Sequence, residues 1–213
     1  MADPTQESGR GDGNRIDHAL ANQPAGLWPF IPAGYPSLAA TEEVLLKLSG
    51  LGVRGFEIGI PFSDPIADGP VIQQAFSSAL AKGVRVAQVF EMIRGVRDRI
   101  SQPILGMVSA SIVYRIGAAE FVERAADSGV DGLIIPDLSL EEAPALRACV
   151  AARGLRLAML VAPTTDEPRR RRIGESASGF LYYVSVQGTT GVRAALPEDL
   201  SASVESLRRT TGL

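Results

Sequence analysis

The chain has 213 residues, 46% of them hydrophobic, with a net charge of −3 and a pI near 5.3. That length builds one sizeable core and is short for two full domains, and the slightly acidic balance supplies no basic stripe for nucleic acid or an anionic membrane. One cysteine, Cys149, excludes an internal disulfide, and no apolar run approaches the roughly 20 residues of a membrane span, so a soluble cytoplasmic protein is expected. The first residues, MADPTQESGRGDGN, are polar and glycine-rich with no apolar signal core; they read as a disordered tail over 1–14, ahead of a single domain over 15–213. His18 falls in a first helix and is expected to face solvent.

From there short apolar runs alternate with longer amphipathic ones. Strands are predicted at LWPFIPA (27–33), RGFEIGI (54–60), PILGMVS (103–109), GLIIPD (132–137), RLAMLVA (156–162) and GFLYYVS (179–185). Most are continuously apolar, as befits strands covered on both faces. Between them, helical stripes occupy 38–50, 71–82, 86–100, 117–128, 140–152 and 197–210. Gly83, Gly129 and Gly154 each follow a helical stretch, where a left-handed C-terminal residue is common. Pro144 and Pro197 sit near helix starts, where the missing N–H costs least. The basic run Arg169 to Arg172 lies in a helical stretch and reads as a solvated face.

This is the pattern of βα units around a parallel sheet, an α/β fold. Doubly wound sheets and TIM (β/α)8 barrels both fit it. Regular unit spacing, with polar and Gly-rich residues gathered after the strands, favours the barrel, and no G-x-G-x-x-G follows the first strand. About six βα units are present, too few to close an eight-strand barrel.

The stretch EIGIPFSDPIADGP (57–70) sets three acids beside the second strand. In FEIGI, Phe56, Ile58 and Ile60 share one face, and Glu57 and Gly59 the other. With the bulky face on the helices, Glu57 points into the barrel near its mouth, where lost hydration raises its pKa towards an acid/base range. Asp68 follows on a loop braced by Pro61, Pro65 and Pro70. Two carboxyls in unlike surroundings suit a division of labour, one carrying a proton and the other staying ionised. The structural alternative pairs Glu57 with a buried arginine and leaves Asp64 and Asp68 to cap the helix starting near Val71.

FEIGIPFSDPIADGPVIQQA resembles the signature of the tryptophan synthase α subunit family, and PFIPAGYP (29–36), GVDGLIIPDL (129–138), LVAPTT (160–165) and YYVSVQGTTG (182–191) are similar to further family segments in the same order. The resemblance spans roughly residues 15 to 213. It implies a lyase of tryptophan biosynthesis that splits indole-3-glycerol phosphate into indole and glyceraldehyde 3-phosphate, without metal or organic cofactor. It further implies Glu57 as general acid/base, Asp68 as acceptor of the indole N–H, and Phe30, Ile72 and Tyr182 as the indole-side pocket. Thr190 and Gly191 match the loop after the sixth strand, the threonine meeting the catalytic aspartate and the glycine the phosphate. The implied partner is the β subunit, in an α2β2 heterotetramer; no nucleic-acid or membrane partner is implied.

Three departures from the family are visible. The last two βα units, with their phosphate loops, are expected to be missing. MVSASIV (107–113) stands where a Tyr-Asn-Pro stretch is usual, and Val186 where arginine is common. An alternative function follows: a catalytically impaired relative that binds or regulates the β subunit. The third reading is a different phosphate-sugar barrel enzyme, such as indole-glycerol phosphate synthase or another aldolase. Many aldolases form a Schiff base on a strand-end lysine, and the lysines here, Lys47 and Lys82, both lie in helical stretches.

Overall fold

A computed structural model of the chain describes residues 13–21, 25–65, 68–184 and 199–213. Six parallel strands lie in one sheet in sequential order: β1 (Phe30–Pro32), β2 (Phe56–Gly59), β3 (Ile104–Met107), β4 (Gly132–Ile134), β5 (Arg156–Val161) and β6 (Leu181–Tyr183). Each matches one apolar run of the sequence and is shorter than the run, because residues at the run ends leave the ladder to enter loops. Among the described residues β1 and β6 pair with one neighbour each and not with each other. The chain is α/β, as the alternation predicts.

Register fixes the faces, since residues paired across parallel strands point the same way. Glu57 is level with Phe30 and Leu105, and Gly59 with Pro32 and Met107. Leu105, Ile134 and Ala158 form a small inner cluster, packed by Trp28, Met107, Leu160, Phe180 and Tyr182. The alternate residues, among them Phe56, Ile58, Ile104, Leu133, Leu157 and Met159, join the larger core under the helices. The helices covering it include α2 (Leu38–Gly50), α3 (Pro70–Ala81), α4 (Val86–Val96), α5 (Ala110–Ile116), α6 (Ala118–Ser128), α7 (Ala143–Ala152), α8 (Glu167–Ser176) and α9 (Leu200–Thr211). Phe90 of α4 meets Phe121 of α6 edge-on, ring centres 5.4 Å apart. Gly83, Gly129 and Gly154 all have positive φ, as their places after helices suggest.

The other opening of the sheet, where the strands begin, is closed by α1 (Arg15–Leu20). Its Ile16 is fully buried in the inner cluster. Gly132 makes room for it: a Cβ there would lie 2.6 Å from Ile16 Cδ1 and 2.8 Å from the Arg156 carbonyl oxygen. Asn14 is the helix N-cap, accepting from the Ile16 N–H, and its amide donates to the carbonyls of Asp131 and Gly154, 2.8 Å each. Asn14 therefore belongs to the fold, where sequence reading had put it at the end of the tail; residues 1–12 lie outside the described residues. Nearby, buried Asp131 accepts from Arg15, from Arg97 and from the Ile104 N–H, and so fastens α1, the turn after α4 and β3 together. Arg156 pairs with Asp17.

Candidate active site

The two sequence-predicted acids lie on two cavities, Glu57 on one along the inner face beside β6 and Asp68 on one at the end where the strands finish. Glu57 is 8% exposed, on the inner face of β2. It borders a cavity of about 280 Å³ with Trp28, Phe180 and Tyr182. Among the described residues no arginine pairs with it. Burial alone raises its carboxyl from the ordinary value of 4.5 to about 7, because charging a group stripped of water is costly. Burial, and secondarily the negative charge of Glu57, pushes the Tyr182 hydroxyl upward as well.

Asp68 lines the second cavity, of about 110 Å³, together with Phe30, Phe62, Phe76, Met107, Ser109 and Asp137. Partial burial moves its carboxyl above the usual aspartate range. Phe30 is level with Glu57 in the sheet and lines the pocket of Asp68. Gly59 lets this happen, since a Cβ there would fall 2.5 Å from Phe30 Cζ and 3.0 Å from Phe76 Cζ. The loop acids do not cap α3: its N-cap, Gly69, makes no side-chain bond, Pro70 opens the helix, and Asp64 instead accepts from the Ser63 hydroxyl at 2.6 Å.

Of the other residues implied by resemblance, Ile72 is half-buried on α3 and lines neither cavity. Thr190, Gly191 and Val186 lie outside the described residues. Sequence reasoning did not find Ser109 and Asp137. Asp137 closes the GLIIPD run, at the functional end of a barrel strand, and that position was the available signal. The Ser109 hydroxyl donates to Asp137 Oδ2 at 2.7 Å, and the Ala110 N–H donates to Oδ1 at 2.8 Å. Met107 and Val108, from the stretch that departs from the family, form the adjacent wall. Among the described residues no group of three or more His, Cys, Asp or Glu side chains is arranged to hold a metal ion.

A buried carboxyl that titrates near neutrality and borders aromatic rings can deliver a proton to a flat apolar substrate and take one back. Comparison with known proteins narrows that chemistry. A family model described as "Tryptophan synthase alpha chain" matches residues 16–213. The tryptophan synthase alpha chain of Prochlorococcus marinus (strain MIT 9313) is 44% identical over 195 residues, 92% of this chain and 71% of that one. That of Rhodopirellula baltica is 44% identical over 190 residues, covering 88% and 68%. Among solved structures, the tryptophan synthase alpha subunit of Legionella pneumophila str. Paris superposes with a TM-score of 0.84 at 34% identity, covering 94% of this chain and 76% of that one. The Pyrococcus furiosus tryptophan synthase a2b2 complex gives 0.77 at 36%, covering 87% and 73%.

Proposed function

The chain belongs to the tryptophan synthase alpha chain family, and on that premise we propose how its residues perform the reaction. The reaction itself is that of the family: carbon–carbon cleavage of indole-3-glycerol phosphate to indole and glyceraldehyde 3-phosphate, in tryptophan biosynthesis.

Glu57 carries the proton. In its protonated form it delivers a proton to indole C3, and the ring becomes an iminium cation. The carboxylate left behind takes the proton from the hydroxyl of the adjoining glycerol carbon. The electrons of the breaking bond return to the ring as the C2–C3 double bond, indole leaves neutral, and the aldehyde forms. Glu57 ends protonated, so no net proton is consumed. Asp68 keeps more contact with water and stays ionised; it accepts the ring N–H and stabilises the transient cation. Phe30, Phe62 and Phe76 hold the ring, and Tyr182 lies beside Glu57. Thr190 and Gly191 are assigned by resemblance to the aspartate contact and the phosphate.

The observation that carries this proposal is the inward Glu57, without an ion-pair partner among the described residues and with its carboxyl near 7. The test is indole release from indole-3-glycerol phosphate by wild type and Glu57→Gln, each with and without a tryptophan synthase β subunit. Losing a general acid costs about 10²-fold to 10⁴-fold, so the variant is expected to lose at least a hundredfold in kcat/KM while keeping its circular dichroism. Unchanged turnover by the variant defeats the assignment. The β subunit is the proposed partner, in an α2β2 assembly, supported by the Pyrococcus furiosus a2b2 relative. Cytoplasmic residence is part of the same proposal; among the described residues no helix is long and apolar enough to cross a membrane.

A further inference from the structure

We infer that Ser109 and Asp137 determine ring specificity by accepting an indole whose benzene edge bears a hydroxyl group. The inference rests on the assignment of Asp68 to the indole N–H. Asp68 stands in the loop after β2, whereas Ser109 and Asp137 follow β3 and β4, and all three line one cavity of about 110 Å³. A planar bicyclic ring anchored by its N–H on Asp68 turns its far edge, the benzene edge, towards the remaining walls. Most of that lining is apolar: Phe30, Ile60, Phe76, Met107 and Val108. A ring of carbon and hydrogen needs nothing else.

An unsubstituted ring makes no use of the polar corner formed by Ser109 and Asp137, whose bonds also secure the start of α5. Asp137 is held by one donor on each oxygen, the Ser109 hydroxyl at 2.7 Å and the Ala110 N–H at 2.8 Å. A carboxylate has about four acceptor sites, so its orientation is fixed while further acceptor capacity remains. Ser109 already donates to Asp137, and its oxygen lies 2.8 Å from that of Ser111. It contributes small size and a clamped carboxylate rather than a new donor. A hydroxyl on the benzene edge would donate to Asp137 in a charge-assisted bond, replacing water at a rim position.

The experiment measures dissociation constants by NMR titration of the full chain with indole and with 4-, 5-, 6- and 7-hydroxyindole. A net hydrogen bond at a water-open rim is worth about fivefold in affinity, so at least one hydroxyindole is expected to bind about fivefold tighter than indole. Asp137→Asn removes the charge, and Ser109→Tyr fills the corner; either is expected to bring that ratio to about one. Circular dichroism checks folding, and if Asp137→Asn does not fold, Ser109→Tyr and the wild-type ratio decide. Wild type binding no hydroxyindole tighter than indole overturns the inference, as does a preference that survives the variants. Because binding is read without turnover, a failure to cleave indole-3-glycerol phosphate counts against the proposed function alone.

Discussion

An acid on the inner face of β2, level with Leu105 and close to Tyr182, is held in its neutral form by its surroundings, and that has a measurable consequence for stability. The carboxyl of Glu57 titrates near 7 in the folded chain and near 4.5 when exposed. Below about 4.5 both states are protonated and the residue adds no pH dependence. Between 4.5 and 7 the unfolded chain gives up its proton while the folded chain keeps it, so stability falls as pH rises; above 7 the penalty is constant. The displacement corresponds to about 3 kcal/mol at most. Glu57→Gln is expected to raise unfolding stability by up to about that amount at pH 8.5 and by almost nothing at pH 4, as read from urea denaturation. In catalysis the protonated form delivers the first proton, so kcat/KM is expected to decline above about pH 7. Glu57 was legible from period-two alternation alone, because a strand leaves a side chain only two directions. Asp68 was legible as a second loop carboxyl, but its part as acceptor of the indole N–H came only from the family resemblance. Its place depends on the path of a proline-rich loop, which no periodicity encodes.

The six strands were legible because each is an apolar run bounded by turn residues, and the long helices because their stripes are wide. The short helix α5 was not. SASIVYRI follows a strand directly, and its apolar residues extend the run instead of starting a new period. Its Ser109 cap, accepting from the Ser111 N–H, was the one local mark of a new element. Missing α5 also hid the corner formed by Ser109 and Asp137, which exists only because the helix begins where it does. Within β2, the approach of Phe30 and Phe76 over Gly59 joins strand geometry to the pocket. Gly59→Ala is expected to push these rings aside, destabilising the chain by about 1–3 kcal/mol and raising KM several-fold. Urea titration and steady-state kinetics on the same preparation test both. Loss of stability with KM unchanged would show that the rings do not shape the substrate site.

On the scale of the molecule, the two ends of the sheet do different work. The end where strands finish carries Asp68, Ser109 and Asp137 around one cavity; the end where they begin carries α1 and Asp131, with Arg15 and Arg97 bound to it. Ile16→Ala is expected to cost about 2–5 kcal/mol, the usual range for emptying a fully buried aliphatic site, as read from urea denaturation. Because the cluster around Ile16 includes Trp28, Phe180 and Tyr182, which border the Glu57 cavity, kcat/KM is expected to fall as well in the folded variant. Sequence reading identified a βα barrel type, and it did not identify the plug, since a six-residue helix with one buried residue carries almost no pattern. At the sides, β1 and β6 each present an unpaired edge among the described residues, the kind of edge that other chains can join.

The fastening of Asn14 and Asp17 sets an order of events at the ribosome. Their partners, Gly154 and Arg156, lie 140 and 139 residues further along the chain. At about 5–20 residues per second, synthesis reaches them roughly seven to thirty seconds after the helix has been made. Through that interval the nascent N-terminus has only part of its docking surface, from β3, β4 and Asp131, so a protease meets it before its last fastenings form, and full protection marks the moment when β5 has emerged.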